Sequence, residues 1–294
     1  MRYTLRQLEV FLATARHENV TRAADELAMS QSAASGALRE LETQFDTQLF
    51  DRVGKRLQLN TVGRELRPRA QRLLDEAAEL ERKLVGGDTQ GRLHIGATLT
   101  IGNYLALDII AAFRERLPGA EVELSIANTE TIAARVARFD LDMGLVEGEY
   151  HHPDLDTRHW RQDELVVFAA PDHPLAAKKR LTDKDLIRAD WIVRESGSGT
   201  RQAFDRAMHG ILTDLHLGMQ LQQPRAIKRA VQSGLGVGCL SRISVADEFQ
   251  QQTLVELPVT HRDFRREWFL VSHREKFRSA ALERWYALCQ DSFA

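Results

Sequence analysis

Cysteine is almost missing: Cys239 and Cys289 are the only two in 294 residues. Two are too few for a disulfide framework or a zinc cluster, and they fit a reducing cytosol. Long apolar runs are missing as well. The longest, such as residues 105–113, fall far short of the roughly 20 residues a membrane span needs. The start, Met1-Arg2-Tyr3-Thr4-Leu5-Arg6, has no apolar run behind its positive charge, so no signal peptide is expected. An excess of one charge is also lacking. Forty Lys and Arg against 42 Asp and Glu leave a formal net charge of -2, which taken whole argues against a nucleic-acid binder. A cytoplasmic, soluble chain of two or three domains is the expectation at this length.

The balance of charge hides a division. Residues 1–74 hold 12 basic and 9 acidic side chains, and the rest hold 28 and 33. Between Arg52 and Arg72 stand seven basic residues against the single acid Glu65. A basic head precedes an acidic body.

The head reads as helix. Leu5, Leu8, Leu12 and Ala15 recur at helical spacing, and Thr4-x-x-Gln7 is a capping-box signature. Val20, Ala23, Ala24 and Leu27 form a second, short helix with a small-residue face. Ala28-Met29-Ser30 connects it to a third helix, with Ser30 as N-cap and Ala34, Leu38, Leu41 and Phe45 on one buried stripe. From Val62 to Val85, Leu66, Ala70, Leu73, Ala77, Leu80 and Leu84 follow steps of four and three, the spacing of a two-helix seam. Pro68 inside it should bend or weaken its first turns. Gly86-Gly87-Asp88 reads as a linker.

Beyond the linker, strands alternate with helices. Strands are expected at 93–97, 121–126, 143–146, 165–169, 191–193, 219–221, 237–240 and 268–272. Helices are expected at 101–117, 130–139, 201–211, 225–233 and 280–290. This alternation predicts an open α/β sheet, divided at this length into two lobes.

A short helix, a tight turn and a second helix make a helix-turn-helix unit, whose second helix enters a DNA major groove. Opposite the apolar stripe of the third helix stand Ser32, Ser35, Gly36 and Arg39, with Gln31 at the edge. Such small or hydrogen-bonding groups suit base edges, Gln pairing with adenine and Arg with guanine. The same face also fits the solvated side of a small bundle. Residues 50–59 read as a hairpin with a basic tip, placing Arg52, Lys55 and Arg56 to meet phosphate.

Leu5-Arg6-Gln7-Leu8-Glu9-Val10-Phe11, Thr21-Arg22-Ala23-Ala24-Asp25-Glu26-Leu27 and Ser30-Gln31-Ser32-Ala33-Ala34-Ser35 stand in order. Leu38-Arg39-Glu40-Leu41-Glu42, Leu49-Phe50-Asp51-Arg52 and Leu59-Asn60-Thr61-Val62-Gly63 follow them. Together they resemble the LysR-type transcriptional regulators of bacteria, almost unbroken from Leu5 to Gly63. Gly36 stands where many members have a larger polar residue. The resemblance implies an all-α winged helix-turn-helix head (1–60) and a long dimerisation helix (61–86). It also implies a two-lobed α/β effector domain like a periplasmic binding protein (92–294). Lobe I would take about 92–160 and 267–294, and lobe II about 161–266, with hinges near 159–163 and 264–268. It further implies homodimers or homotetramers on double-stranded DNA with a dyad operator, contact with RNA polymerase, and altered DNA bending when a small-molecule effector binds.

In the body, polar segments follow the strands: Thr98-Leu99-Thr100, Asn128-Thr129-Glu130, Val146-Glu147-Gly148 and Ser196-Gly197-Ser198-Gly199-Thr200. Free N–H groups, hydroxyls and helix dipoles at such starts favour anions, and ligands in open α/β sheets sit beyond the strand ends. Thr98 and Thr100 also fit ordinary N-caps, and 196–200 also fits a surface loop. Glu147 would repel a nearby anion unless it orients a neighbour. These segments are similar to a subset of the family that includes regulators of sulfur and carbon-fixation genes. That similarity implies a small anionic effector such as sulfate, sulfite, phosphate or a carboxylate, and no cofactor. Pro224-Arg225-Ala226-Ile227 resembles the family's other cleft helix, which adds Ala226 to the pocket.

Enzyme readings fail on spacing. Gly197-Ser198-Gly199 is not a Gly-x-Ser-x-Gly elbow, and Gly234-Leu235-Gly236-Val237-Gly238 runs from helix to strand, the reverse of a dinucleotide fingerprint. His151-His152 before Pro153 reads as a surface turn rather than a metal site. The cysteines read as small core or surface thiols. No enzyme is expected. A ligand-responsive transcription factor is the leading reading, and a cytosolic solute-binding protein with a helical oligomerisation arm is the alternative.

Overall fold

The computed structural model describes residues 2–54, 56–84 and 91–292. Lys55 at the expected hairpin tip, Val85, and the Gly86-Gly87-Asp88 linker lie outside the described residues. The chain divides into two units, 1–91 with 274–281, and 92–273 with 282–294. Segment 274–281 was expected in lobe I. It groups with the first unit, where Lys276 Nζ donates to Asp75 Oδ2 at 3.1 Å.

In the first unit, α1 (Leu5–His17) begins with the expected capping box. Thr4 Oγ1 accepts from Gln7 N at 3.2 Å, and Gln7 Oε1 accepts from Thr4 N at 2.9 Å. Asn19 caps α2 (Val20–Glu26), and Ser30 caps α3 (Gln31–Gln44), accepting from Ala33 N at 3.2 Å. The turn between them carries Ala28 at φ 51°. Leu8, Phe11, Ala24, Ala34, Leu38 and Leu41 bury together between the three helices. Phe45 departs from expectation. It is the C-cap of α3, so its side chain leaves the buried stripe and is 48% exposed.

β1 (Phe50–Val53) and β2 (Arg56–Leu59) pair antiparallel, Phe50 opposite Leu59, as the expected wing. Asn60 Oδ1 then accepts from Gly63 N at 2.9 Å and starts α4 (Thr61–Leu84). A Cβ on Gly63 would lie 2.2 Å from the Leu49 carbonyl oxygen, so only glycine lets the helix start this close to the wing. α4 continues through Pro68 for 24 residues, roughly 36 Å at ~1.5 Å per residue. Its apolar stripe serves two purposes. Ala70 is buried against the head with Leu66 half-buried beside it. Leu73, Leu80 and Leu84 are 41%, 59% and 78% exposed.

The second unit holds β3 (Arg92–Ala97), α5 (Leu99–Tyr104), α6 (Ala106–Arg116), β4 (Glu121–Ile126), α7 (Thr129–Ala137), β5 (Met143–Glu147) and the 15-residue β6 (Leu155–Ala169). Then follow α8 (Asp183–Arg188), β7 (Asp190–Arg194), α9 (Gly199–Ala207), β8 (His216–Leu221), α10 (Pro224–Gln232) and β9 (Val237–Ser241). α11 (Arg242–Gln250), β10 (Val255–Glu256), β11 (Arg265–His273) and, from Leu282 on, α12 (Ala280–Ser292) complete it. The helix expected over 101–117 is two, broken at Leu105, whose backbone leaves the helical well (φ -128°, ψ -36°).

The strands form one path, β4-β3-β5-β11-β6-β9-β7-β8, with β10 on β6. β3 runs parallel to β4 and β5, and β7 runs parallel to β8 and β9. These two parallel groups are the lobes, and the antiparallel pair β6 and β11 joins them. Leu165, Val167 and Ala169 face one core, while Val166 and Phe168 face another. Burial on both faces explains why this stretch of β6 is a continuous apolar run. The first half of β6 was not expected from sequence. Residues 156–159 and 161–164 are polar and lie before the strand expected at 165–169, partly in the hinge expected at 159–163, yet β11 pairs with them along their whole length. Trp160 alone in that stretch is buried, donating through Nε1 to Cys289 O at 2.8 Å.

Candidate functional site

On α3 the helix turns Ala34, Leu38 and Leu41 inward. Gln31, Ser32, Gly36 and Arg39 are left exposed and Ser35 half-exposed. Among the described residues Arg39 has no ion-pair partner, and a Cβ on Gly36 would meet nothing within 4 Å. Arg52 and Arg56 are exposed on the wing, Arg56 in a loose pair with Glu18 at 3.7 Å. The face expected to meet bases and phosphates is open.

In the second unit, several of the expected effector residues converge, but on a partner the sequence reading did not name. Arg266 stands on β11 opposite Asp163 of β6, where the strands join the lobes. Its guanidinium is fully buried, with Nε 2.7 Å from Asp163 Oδ2 and Nη1 2.6 Å from Glu147 Oε2. Nη1 also donates to Thr200 Oγ1 at 2.8 Å, and Nη2 to Thr100 Oγ1 at 3.2 Å. Thr100 opens lobe I's α5 and Thr200 opens lobe II's α9, so one side chain ties both helix starts to the joining strands.

Glu147, at the end of β5, is the counterpart. Its Oε1 accepts from Thr100 N at 2.7 Å and Ile101 N at 3.3 Å, and Thr200 Oγ1 donates to its Oε2 at 3.2 Å. Burial works to raise the Glu147 carboxyl. The charge of Arg266, hydrogen bonds from Thr98 and Thr100, and the charge of Arg194 outweigh it and hold the group below the usual carboxylate range. Burial likewise disfavours charge on Arg266, and the charges of Glu147 and Asp163 overcome it. Of the two roles open to Glu147, the hydrogen bonds are those of a group that orients its neighbours. It is a carboxylate seated on the backbone N–H groups of a helix start.

Around this centre, Thr129 Oγ1 donates to Glu147 O at 2.8 Å and accepts from Gly199 N at 3.2 Å. A Cβ at Gly199 would fall 1.7 Å from Glu147 O, so glycine alone permits α9 to approach β5. Thr98 and Ser198 occupy N-cap positions, but neither side chain caps its helix. Both are buried, as is Leu99. Asn128 does cap α7, accepting from Thr131 N at 3.0 Å, and its Nδ2 donates to Glu195 Oε1 at 3.3 Å. Ser196, Gly197, Ser198 and Gly199, with Thr129, line a neighbouring cavity of about 340 Å³ between α7 and α9. Ala226 lies exposed on α10 and makes none of the contacts given for Arg266 or Glu147.

Sequence reasoning missed Arg266, Asp163 and the pairing of buried Arg194 with half-buried Glu195, whose Nε–Oε2 distance is 2.8 Å. It had marked 159–163 and 264–268 as hinges. An arginine pair, Arg265-Arg266, separated only by Glu267 from the apolar Trp268-Phe269-Leu270 run was the signal available there. Both cysteines are buried; desolvation pushes the Cys289 thiol up to about 12 and Cys239 higher still. Among the described residues no group of three His, Cys, Asp or Glu could hold a metal ion. No described helix is long and apolar enough to cross a membrane.

Residues 5–64 match the family model described as bacterial regulatory helix-turn-helix protein, lysR family, and residues 86–294 match the LysR substrate binding domain. The HTH-type transcriptional regulator YeiE of Escherichia coli K12 is 43% identical over 98% of both chains. The RuBisCO operon transcriptional regulator of Allochromatium vinosum is 35% identical, covering 96% of this chain and 93% of its own. Among solved structures, a full-length OxyR variant from Pseudomonas aeruginosa has a TM-score of 0.74 at 21% identity, covering 99% of this chain and 96% of that one. The Synechocystis CcmR regulatory domain in complex with 2-PG has a TM-score of 0.63 at 29% identity, covering 68% of this chain and 96% of that one.

Proposed function

The chain belongs to the LysR family of DNA-binding transcriptional regulators, and from that premise we propose that its DNA binding is set by a small anionic effector held between the two lobes. The observation that carries the proposal is the Glu147 carboxylate on Thr100 N, Ile101 N and Arg266. The chain's own carboxylate already occupies a position suited to an oxyanion. An effector anion competes with Glu147 for these donors and for the hydroxyls of Thr100 and Thr200. Displacing Glu147 breaks a link between α5 and α9, and so changes how the lobes are held. The effector acts only through its different affinity for the two arrangements.

Thr98, Leu99, Thr129 and Gly199 form the shell around this exchange, with Asn128 beside them and Ser196, Gly197 and Ser198 on the neighbouring cavity; Ala226, exposed on α10, stands outside it. The CcmR domain's complex with 2-PG is in keeping with a small charged ligand. Sulfate, sulfite, phosphate and small carboxylates are the effectors to try, with no cofactor. In the head, Gln31, Ser32, Ser35, Gly36 and Arg39 read bases, while Arg52, Lys55 and Arg56 hold phosphates. The exposed Leu73, Leu80 and Leu84 supply the seam of a homodimer, and dimers pair into a tetramer on a dyad operator. The setting is the bacterial cytoplasm, with RNA polymerase as the downstream partner.

The test is a thermal-shift panel of those anions on wild type and Glu147→Gln. Removing the competing charge should tighten binding of the true effector. Equal or weaker binding by Glu147→Gln rejects the exchange.

A further inference from the structure

Gln7 of α1 is a polar side chain in the core of the head, and both ends of its amide are used. Its Oε1 accepts from Thr4 N in the capping box, and its Nε2 donates to Glu40 Oε2 of α3 at 3.0 Å. Thr4 N can only donate and a carboxylate can only accept, so one orientation of the amide satisfies both. The neighbouring Arg6 reaches the other half of the helix-turn-helix. Its Nη2 donates at 2.8 Å to the carbonyl of Leu27, the C-cap of α2. The first turn of α1 thus holds α2 through Arg6 and α3 through Gln7.

α3 carries two acids, Glu40 and Glu42, and each is held by a donor of the head. Gln7 Nε2 holds Glu40, and Leu49 N donates to Glu42 Oε1 at 2.8 Å just ahead of the wing. Glu40 is the chain neighbour of Arg39. The apolar contacts of Ala34, Leu38 and Leu41 fix the depth of α3 in the core, but such contacts have no direction. A hydrogen bond does. At the roughly 5–6 Å radius of a helix with its side chains, a roll of ~10° moves their tips by about 1 Å. That is more than a paired contact to a base edge tolerates.

We propose that Gln7 is a positioning residue for base recognition. By holding Glu40 it sets the roll of α3 about its own axis, and with it the aim of Arg39. The role rests on the reading of α3 as the helix that contacts bases. It is separable from the capping of α1, because glutamate serves a capping box as well as glutamine does. Gln7→Glu therefore keeps the start of α1 but sets two carboxylates where an amide met a carboxylate. Gln7→Glu/Glu40→Gln restores the hydrogen bond with donor and acceptor exchanged, at the net charge of wild type.

Fluorescence anisotropy on the full chain tests it, using the operator it selects from random duplexes and an unrelated duplex of the same length. The preference is the ratio of the two affinities, in which a charge effect common to both duplexes cancels. Gln7→Glu should lose about 10-fold of that preference, with the salt slope on unrelated duplex unchanged. The exchanged pair should regain it. Glu40→Gln alone leaves Gln7 an acceptor and should keep it. Should Gln7→Glu not fold, Glu40→Ala takes its place and should lose the preference that Glu40→Gln keeps. Undiminished preference in the variant tested, or a loss in Gln7→Glu that the exchange does not restore, overturns the role. Arg39→Ala measured alongside tells two failures apart. Lost preference there, with none lost in Gln7→Glu, rejects the positioning role alone; retained preference there rejects base reading by α3 and this role with it.

Discussion

Arg266 Nη1 lies 2.6 Å from Glu147 Oε2, with both side chains almost wholly out of contact with solvent. A pair so enclosed cannot be lost by halves: removing one partner strands the other's charge in a medium that solvates it poorly. Arg266→Ala leaves both Glu147 and Asp163 unpaired. It should destabilise the effector domain by about 3–5 kcal/mol, read as a lower urea midpoint with an unchanged slope. A midpoint equal to wild type would mean the pair does not hold the lobes.

Acid acts on the same contact. The folded-state pKa of Glu147 is depressed, so its contribution is complete above the ordinary carboxylate value of 4.5 and is lost as pH falls through the folded value. Melting temperatures from pH 7 downward should stay level until that range and then drop. Glu147→Gln, with no proton to take up, should start lower and fall less steeply. Parallel curves would assign the acid sensitivity elsewhere.

Much of this arrangement was legible in the sequence, and the limits have physical causes. Capping residues act locally, so Thr4, Ser30 and Asn128 could be read from neighbours three residues away. The two-sided burial of 165–169 was visible as an unbroken apolar run. Local pattern could not show that 156–164 is strand, because its polar side chains are kept extended by β11, more than 100 residues away in sequence. It could not show Arg266 either. A buried arginine is set by partners from β5, β6, α5 and α9, and none is its neighbour along the chain. The polar helix starts were read as surfaces for a ligand, and they also serve as partners for each other.

On the head, the exposed face of α3 and the wing should separate specificity from affinity. Arg39→Ala should reduce preference for the operator over unrelated duplex by roughly 1–3 kcal/mol. Arg52→Ala should weaken both duplexes alike and reduce the salt slope by about 1. Fluorescence anisotropy over a salt series reads both. Identical profiles for the two variants would remove the division of labour.

The thiols offer a simple check of packing. Cys239 and Cys289 are buried and hard to ionise, so a thiol reagent should react with the native protein only as fast as it unfolds. Both should react at once in denaturant. Prompt labelling of either in the native state would contradict the burial of β9 or α12.

Operator binding measured with and without effector tests effector control most directly. The full chain would first select its site from random duplexes, and its affinity for that site would then be followed as each anion of the panel is added at constant ionic strength. The prediction is an interrupted dyad whose binding changes saturably with one anion, at lower concentration in Glu147→Gln than in wild type. A selected dyad whose affinity and bend stay the same under every anion would contradict effector control at the Arg266 centre.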